Sequence, residues 1–377
     1  LILQEIKLGQ TTTNEVVEYI SDPVEKLHIA SGIATLLIFQ GMGEPKAEIS
    51  KSLSIADSLL NTWKPEELST DSLIKILRKI NELRVTLEYA HYYNPDEEIG
   101  TFRKRNAERS ALWASYILEN QPADFHDIQN LNLAIEHAIN HKTVNQEGLQ
   151  RWIGLLSPFE NDQRANWFES NYHIDKQLIR GAQEYGFKHN GLYQLLAYLY
   201  ASQGNSDRVL QCMDTLLRHS QPNYQGDYAA GADNAAQIAA VYFTYNKTGS
   251  ELDNFVAGYC KRKGITEGNF YSRMIGRTLH GYFAAASNIH MYNFTDANSN
   301  LALVFCNSEE LNSYFNKYRS VVEKLPESDE RNFLMALSYK NEGIFKSMRR
   351  ELVPKDFSVT DSFDRAMGYF NSVSSNY

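Results

Sequence analysis

With 377 residues, 43% hydrophobic and rich in Tyr and Phe, the chain can bury the core of two ordinary domains or of one solenoid, which excludes wholesale disorder. A net charge of −9, spread along the sequence without a basic stripe, argues against nucleic acid as a partner. The longest apolar run, around 36–39, is far too short for a transmembrane segment, and no secretory signal stands at the start.

Nine prolines and few Val-Ile-Thr runs point to helix. Thr13 is expected to cap a short helix over 15–20. Pro23 opens the next, whose stripe is Val24, Leu27, Ala30, Ile33, Ala34 and Leu37. The turn at 41–46 lacks the Walker spacing and the GK[ST] ending of a phosphate loop, so it reads as a plain helix–helix turn. After it, Ile49, Leu53, Ala56 and Leu60 face inward on a helix that runs to about Trp63. A linker at 64–70 leads to a long helix capped by Ser69 or Thr70, which carries Leu73, Ile76, Leu77, Ile80, Leu83, Val85 and Leu87 and ends near Tyr93-Asn94-Pro95. On the next predicted helix, 97–120, Arg103, Lys104, Arg105 and Arg109 read as a solvated face.

Pro122 breaks that helix, and 124–141 forms another, with Phe125, Ile128, Leu131, Ala134, Ile135 and Ile139 inward. His137 and His141 lie four apart there, so their rings share a face at a metal-ligand spacing. Glu136 precedes them, but the pattern is not HExxH and no third ligand announces itself. They read as solvated or packing side chains, as do the isolated His126 and Asp127, and no metal or cofactor is expected. Leu149, Trp152, Ile153 and Leu156 mark a helix ending at Pro158, and shorter pieces follow at 162–172 and 174–185.

Leu192, Leu195, Leu196, Leu199 and Tyr200 form one apolar stripe; Gly204 stops the helix and Asn205 or Ser206 caps the next. There Val209, Met213, Leu216 and Leu217 share a side, and Pro222 ends it. Two helices so closely joined lie antiparallel. The hairpin resembles a tetratricopeptide repeat, a unit of about 34 residues: Tyr193, Leu196, Ala197, Tyr200 and Gly204 match the family pattern. Val209, Met213 and Leu216 depart from it. The triad of small residue, large residue and turn residue recurs as Ala34-Leu37-Gly41, Ala239-Tyr242-Asn246 and Ala336-Tyr339-Gly343. The resemblance implies an all-α, right-handed superhelical solenoid of antiparallel hairpins. It also implies a concave groove for a protein or peptide segment, with Gln194, Tyr198 and Ser202 facing the partner. None of the three is Lys or Arg, so the family's clamp for a C-terminal carboxylate is missing.

Beyond a Tyr-, Gly- and Asn-rich loop at 221–231, an alanine-rich helix at 235–245 pairs with one carrying Leu252, Phe255, Val256 and Tyr259. The segment 270–286 is apolar on most faces. The polar stretch 288–300 is the best candidate for a loop or boundary, and 301–305 is a minor strand or a buried turn. Helices at 309–322, 330–352 and 363–373 complete the chain. The expected organisation is a helical-repeat body at 1–287, an irregular loop at 288–300 and a C-terminal helical segment at 301–377 that packs on the body. Cys212, Cys260 and Cys306 are too far apart for a disulfide framework and read as buried. An N-terminal Leu points to a processed or excised chain, and scarce Cys with abundant Asn, Ser and Tyr leans towards an extracytoplasmic setting.

Two functions fit this frame. The favoured one is an interaction scaffold without catalytic residues, since no GxSxG, dinucleotide or EF-hand motif is present. The alternative is a carbohydrate-processing enzyme or glycan binder on an α/α toroid, in which Tyr224, Tyr228 and Tyr282 could stack on sugars and paired carboxylates from separate helices would act.

Overall fold

The computed structural model describes residues 2–41, 45–93, 97–120, 122, 124–160, 186–219, 235, 238–239, 241–247, 249–272, 308–348 and 358–374. Every regular element among them is helical, so the chain is all-α as its sequence predicts. The expected loop at 288–300, the run 301–305, the pieces at 162–172 and 174–185, and Pro222, Tyr224, Tyr228, Tyr282 and Cys306 lie outside this description, as do the side chains of Leu216 and Leu217. The chain divides into two compact units, Leu1–Leu199 and Tyr200–Tyr377. That division falls inside one helix, where no change of composition marks it.

The first unit contains α1 (Ile2–Lys7), α2 (Thr13–Glu18), α3 (Pro23–Gly41), α4 (Lys46–Leu60), α5 (Thr70–Tyr93), α6 (Glu97–Asn120), α7 (Ile128–Asn140) and α8 (Gln146–Leu156), and most of α9 (Gly186–Ser202). Local chemistry sets the helix starts. Thr12, not Thr13, caps α2. Its hydroxyl accepts from the Glu15 amide and the Glu15 carboxylate accepts from the Thr12 amide, a reciprocal box that Thr13 could not close because Val16 stands three residues on. Thr13 instead donates through its amide and hydroxyl to Glu48, each at 2.9 Å, and ties α2 to α4. Ser69 accepts from the Ser72 amide at the start of α5. Helix α7 begins at Ile128, later than its sequence predicts, because Asp127 caps it by accepting from the Asn130 amide.

Packing follows a simple order. The substantial contacts of α1 to α8 are with the next helix or the next but one: α3 touches α4 and α5, α4 touches α6, α5 touches α6 and α7, and α6 touches α7 and α8. Odd-numbered helices therefore neighbour odd ones, and even ones neighbour even ones. The expected stripes are the ones buried: Leu27, Ala34 and Leu37 of α3, Leu53, Ala56 and Leu60 of α4, and Leu77 and Ile80 of α5. Alanines 30, 34, 56, 107, 114, 134 and 138 are fully covered, and their small side chains admit close helix approach. Each buried Leu or Ile contributes roughly 1.5–3 kcal/mol. Trp152 is buried with its indole N–H donated to Ser115 at 3.0 Å.

Arg103 and Arg109 of α6 do not belong to a solvated face. Arg109 is buried and donates to Asp57 at 2.8 Å and to Asn61 at 2.7 Å. Arg105 donates to the other oxygen of Asp57, and Arg103 donates to Glu88. Lys104, 77% exposed, and Arg105, 48% exposed, are the members of the run that face water. The cause is enclosure: α6 is flanked by α4, α5, α7 and α8, so most of its faces meet another helix.

The second unit contains the end of α9, then α10 (Ser206–His219), α11 (Ser250–Lys263), α12 (Ser308–Val322), α13 (Asp329–Met348) and α14 (Val359–Phe370). Gly204 takes φ +75° at the turn into α10, and Asn205 caps that helix by accepting from the Arg208 amide. Asn246, at φ 56°, adopts the left-handed conformation that its triad predicts. Helix α10 packs on α11 at Gly258, where a Cβ would stand 2.5 Å from Leu210. Tyr242 stacks on Phe255 with centroids 5.5 Å apart, and Tyr259 meets Phe270 edge-on at 5.5 Å. Cys212 and Cys260 are buried as expected. Helix α13 packs on α12 and α14. Gly343 lies within α13, not at a turn, contrary to the reading of its triad.

Candidate functional site

From Asn81 to Glu88, helix α5 exposes only Glu82; Leu83, Val85 and Leu87 are buried, and so are Asn81, Arg84, Thr86 and Glu88. Neighbours on α3, α6 and α7 leave this stretch little contact with water, so its polar groups need partners within the fold. Asn81 donates to the Asn130 carbonyl at 2.9 Å, and Thr86 shares a 2.6 Å bond with Thr35. Arg84 reaches the Leu133 carbonyl through Nη1 at 3.5 Å, while its Nη2 has no hydrogen-bond partner among the described residues.

Glu88 is the centre of this region. One of its oxygens accepts from Arg103 of α6, and the other lies 2.9 Å from Nε2 of His141 at the end of α7. Burial alone would raise its pKa, but Arg103 and His141 outweigh burial and hold the carboxyl well below the usual range. His137, one turn before His141, is 3% exposed, and its Nε2 finds no hydrogen-bond partner among the described residues. The two rings meet edge-on with centroids 4.5 Å apart. Burial, then the neighbouring His141 and Arg84, push the His137 pKa well below its ordinary 6.5. Burial also raises that of Glu136 to about 7, against the pull of Arg84.

Ligand-type atoms of Glu88, His137 and His141 all lie within 4.8 Å of one another, and these residues could hold an ion together. The sequence indicates two of the three. Glu88 comes from another helix, 53 residues before His141, and its one local signal is a carboxylate next to the apolar stripe residue Leu87. Asp127, which reads as isolated in the sequence, caps α7 and pairs with Arg78 of α5.

The positions expected to face a partner are placed otherwise. Gln194 is half-buried and donates to the Tyr198 hydroxyl at 2.7 Å. Tyr198 is 4% exposed and Ser202 is fully buried, so neither offers surface to a peptide. Helix α9 is covered on more than one face, as the burial of Leu195, Leu196, Ala197, Leu199 and Ala201 also records. Positions between the residues of an apolar stripe reach solvent only where one face alone is covered.

No family model matches the chain, and no curated protein or solved structure matches it at a significant level. No helix among the described residues is long and apolar enough to cross a membrane.

Proposed function

We propose that the chain is a helical-repeat binding module, a solenoid of antiparallel hairpins that captures a protein or peptide segment without catalysing a reaction. The observation that supports this reading is the order of packing in the first unit, where helices meet the next and the next but one, odd on odd and even on even. Stacked hairpins have that contact pattern, and each stacked layer then presents one continuous outer surface. Since Tyr198 and Ser202 are buried, the binding surface is assigned to the outer side of α3 and α5. His28, Leu36, Lys75 and Glu82 are exposed there, and Lys79 joins the two helices by donating to Nδ1 of His28 at 2.9 Å.

The test is selection of a displayed random peptide library on the full chain, followed by affinity measurement with the enriched peptides. Substituting Leu36→Asp together with Lys75→Glu, both at exposed positions, is expected to weaken binding by about tenfold or more, equivalent to roughly 1.4 kcal/mol. Failure to enrich any peptide, or affinities indifferent to these changes, would refute the reading.

A further inference from the structure

We infer that Glu88, His137 and His141 form a binding site for a divalent transition-metal ion of the zinc class. The donor set is the first argument. Two imidazole nitrogens and one carboxylate oxygen are borderline ligands that suit zinc, whereas calcium and magnesium call for oxygens alone.

Geometry is the second. His137 and His141 stand one helical turn apart on one face of α7, and α5 brings Glu88 opposite them. Donors around a tetrahedral zinc ion, with bonds of about 2.0–2.2 Å, stand roughly 3.3 Å apart. The three donor atoms here lie within 4.8 Å, and the pair Glu88 Oε1 and His141 Nε2 is already at 2.9 Å.

The third argument is independent of the other two. Nε2 of His137 is buried without a hydrogen-bond partner among the described residues, and leaving a polar atom so costs about 1–3 kcal/mol. A metal ion is a partner for its lone pair. The surroundings complete the site. Arg103 holds the far oxygen of Glu88 and so orients the near one, the role that carboxylate partners take around metals. Both histidines lie at the C-terminal end of α7, where the exposed carbonyls favour a cation. The charge of Arg84 opposes a dication there, and Glu136 offsets that charge in its ionised form only.

The test uses the full chain, stripped with a chelator and titrated with zinc by calorimetry, and with cobalt by visible absorption. The expected result is one zinc per chain, four-coordinate cobalt bands, and affinity lower by about tenfold or more in both His137→Gln and His141→Gln. Circular dichroism reports whether each variant is folded, and His126→Gln, which alters a half-buried histidine outside the cluster, is expected to bind as the parent does. Glu88→Gln is the weaker probe because it strands Arg103, so the two histidine variants decide the matter. Absence of stoichiometric zinc uptake, or uptake unchanged in both folded histidine variants, would overturn the inference.

Discussion

Gly343 of α13 lies against the ring of Phe363 of α14. A Cβ built at Gly343 would stand 3.1–3.3 Å from three of the ring carbons, closer than such contacts normally come. This glycine serves helix approach, not chain reversal. Replacing a glycine in a helix interior by alanine ordinarily stabilises by about 1 kcal/mol. Gly32, in the middle of α3 with no atom within 4 Å of the added Cβ, is expected to give that gain. Gly343→Ala is expected to give none, or to destabilise, because the ring must move. Urea denaturation of the two variants beside the parent checks the contrast; an equal gain at both positions would contradict the contact.

His137 sets an acid limit on stability when metal is withheld. The groups around it are Arg84 and Glu88 from α5, Arg103 from α6 and His141 on its own helix. Its folded pKa lies well below the ordinary 6.5, so between the two values the unfolded chain binds the extra proton. Its own contribution is thus full above pH 6.5 and falls as pH drops below it, while Glu136, raised from 4.5 to about 7, acts in the opposite sense because there the folded chain binds the extra proton. Glu88, with a folded pKa below its ordinary 4.5, adds a further loss only under that value. Because the Glu136 contribution is common to both proteins, denaturation midpoints measured with chelator present should fall more, or rise less, from pH 6.5 to 5 in the parent than in His137→Gln. Parallel profiles for the two proteins across this window would contradict the burial of a neutral imidazole.

The parts of the fold legible in the sequence are those written as local periodicity. Leu27, Ala34 and Leu37, or Ile49, Leu53 and Ala56, repeat at helical spacing and are buried accordingly. Pro23, Gly204 and Asn246 act where they stand, since each fixes or permits a backbone angle by its own chemistry. What the sequence hides is tertiary pairing. Arg103 and Arg109 look like surface charge until Glu88 and Asp57 arrive from other helices. The His137 and His141 spacing is visible, but its third partner is on α5. Gly343 resembles a turn residue because glycine suits both a left-handed angle and a close approach, and only the position of Phe363 decides between them. The same limit applies to Gln194, Tyr198 and Ser202, whose helix is covered on faces that periodicity leaves open.

The proposed stacking of hairpins makes alternate helices neighbours, and the pair Asp57 of α4 and Arg109 of α6 reports on it. Both side chains are buried, and no contact within a single hairpin links them. The direct measurement is a double-mutant cycle with Asp57→Ala, Arg109→Met and the combined variant, read by urea denaturation. Removing Asp57 alone leaves a buried guanidinium short of its carboxylate and is expected to cost about 3–5 kcal/mol. Packing of α4 against α6 predicts a coupling between the two changes of roughly 1–3 kcal/mol. Costs that simply add, to within about 0.3 kcal/mol, would mean that α4 and α6 do not pack as neighbours in the folded chain.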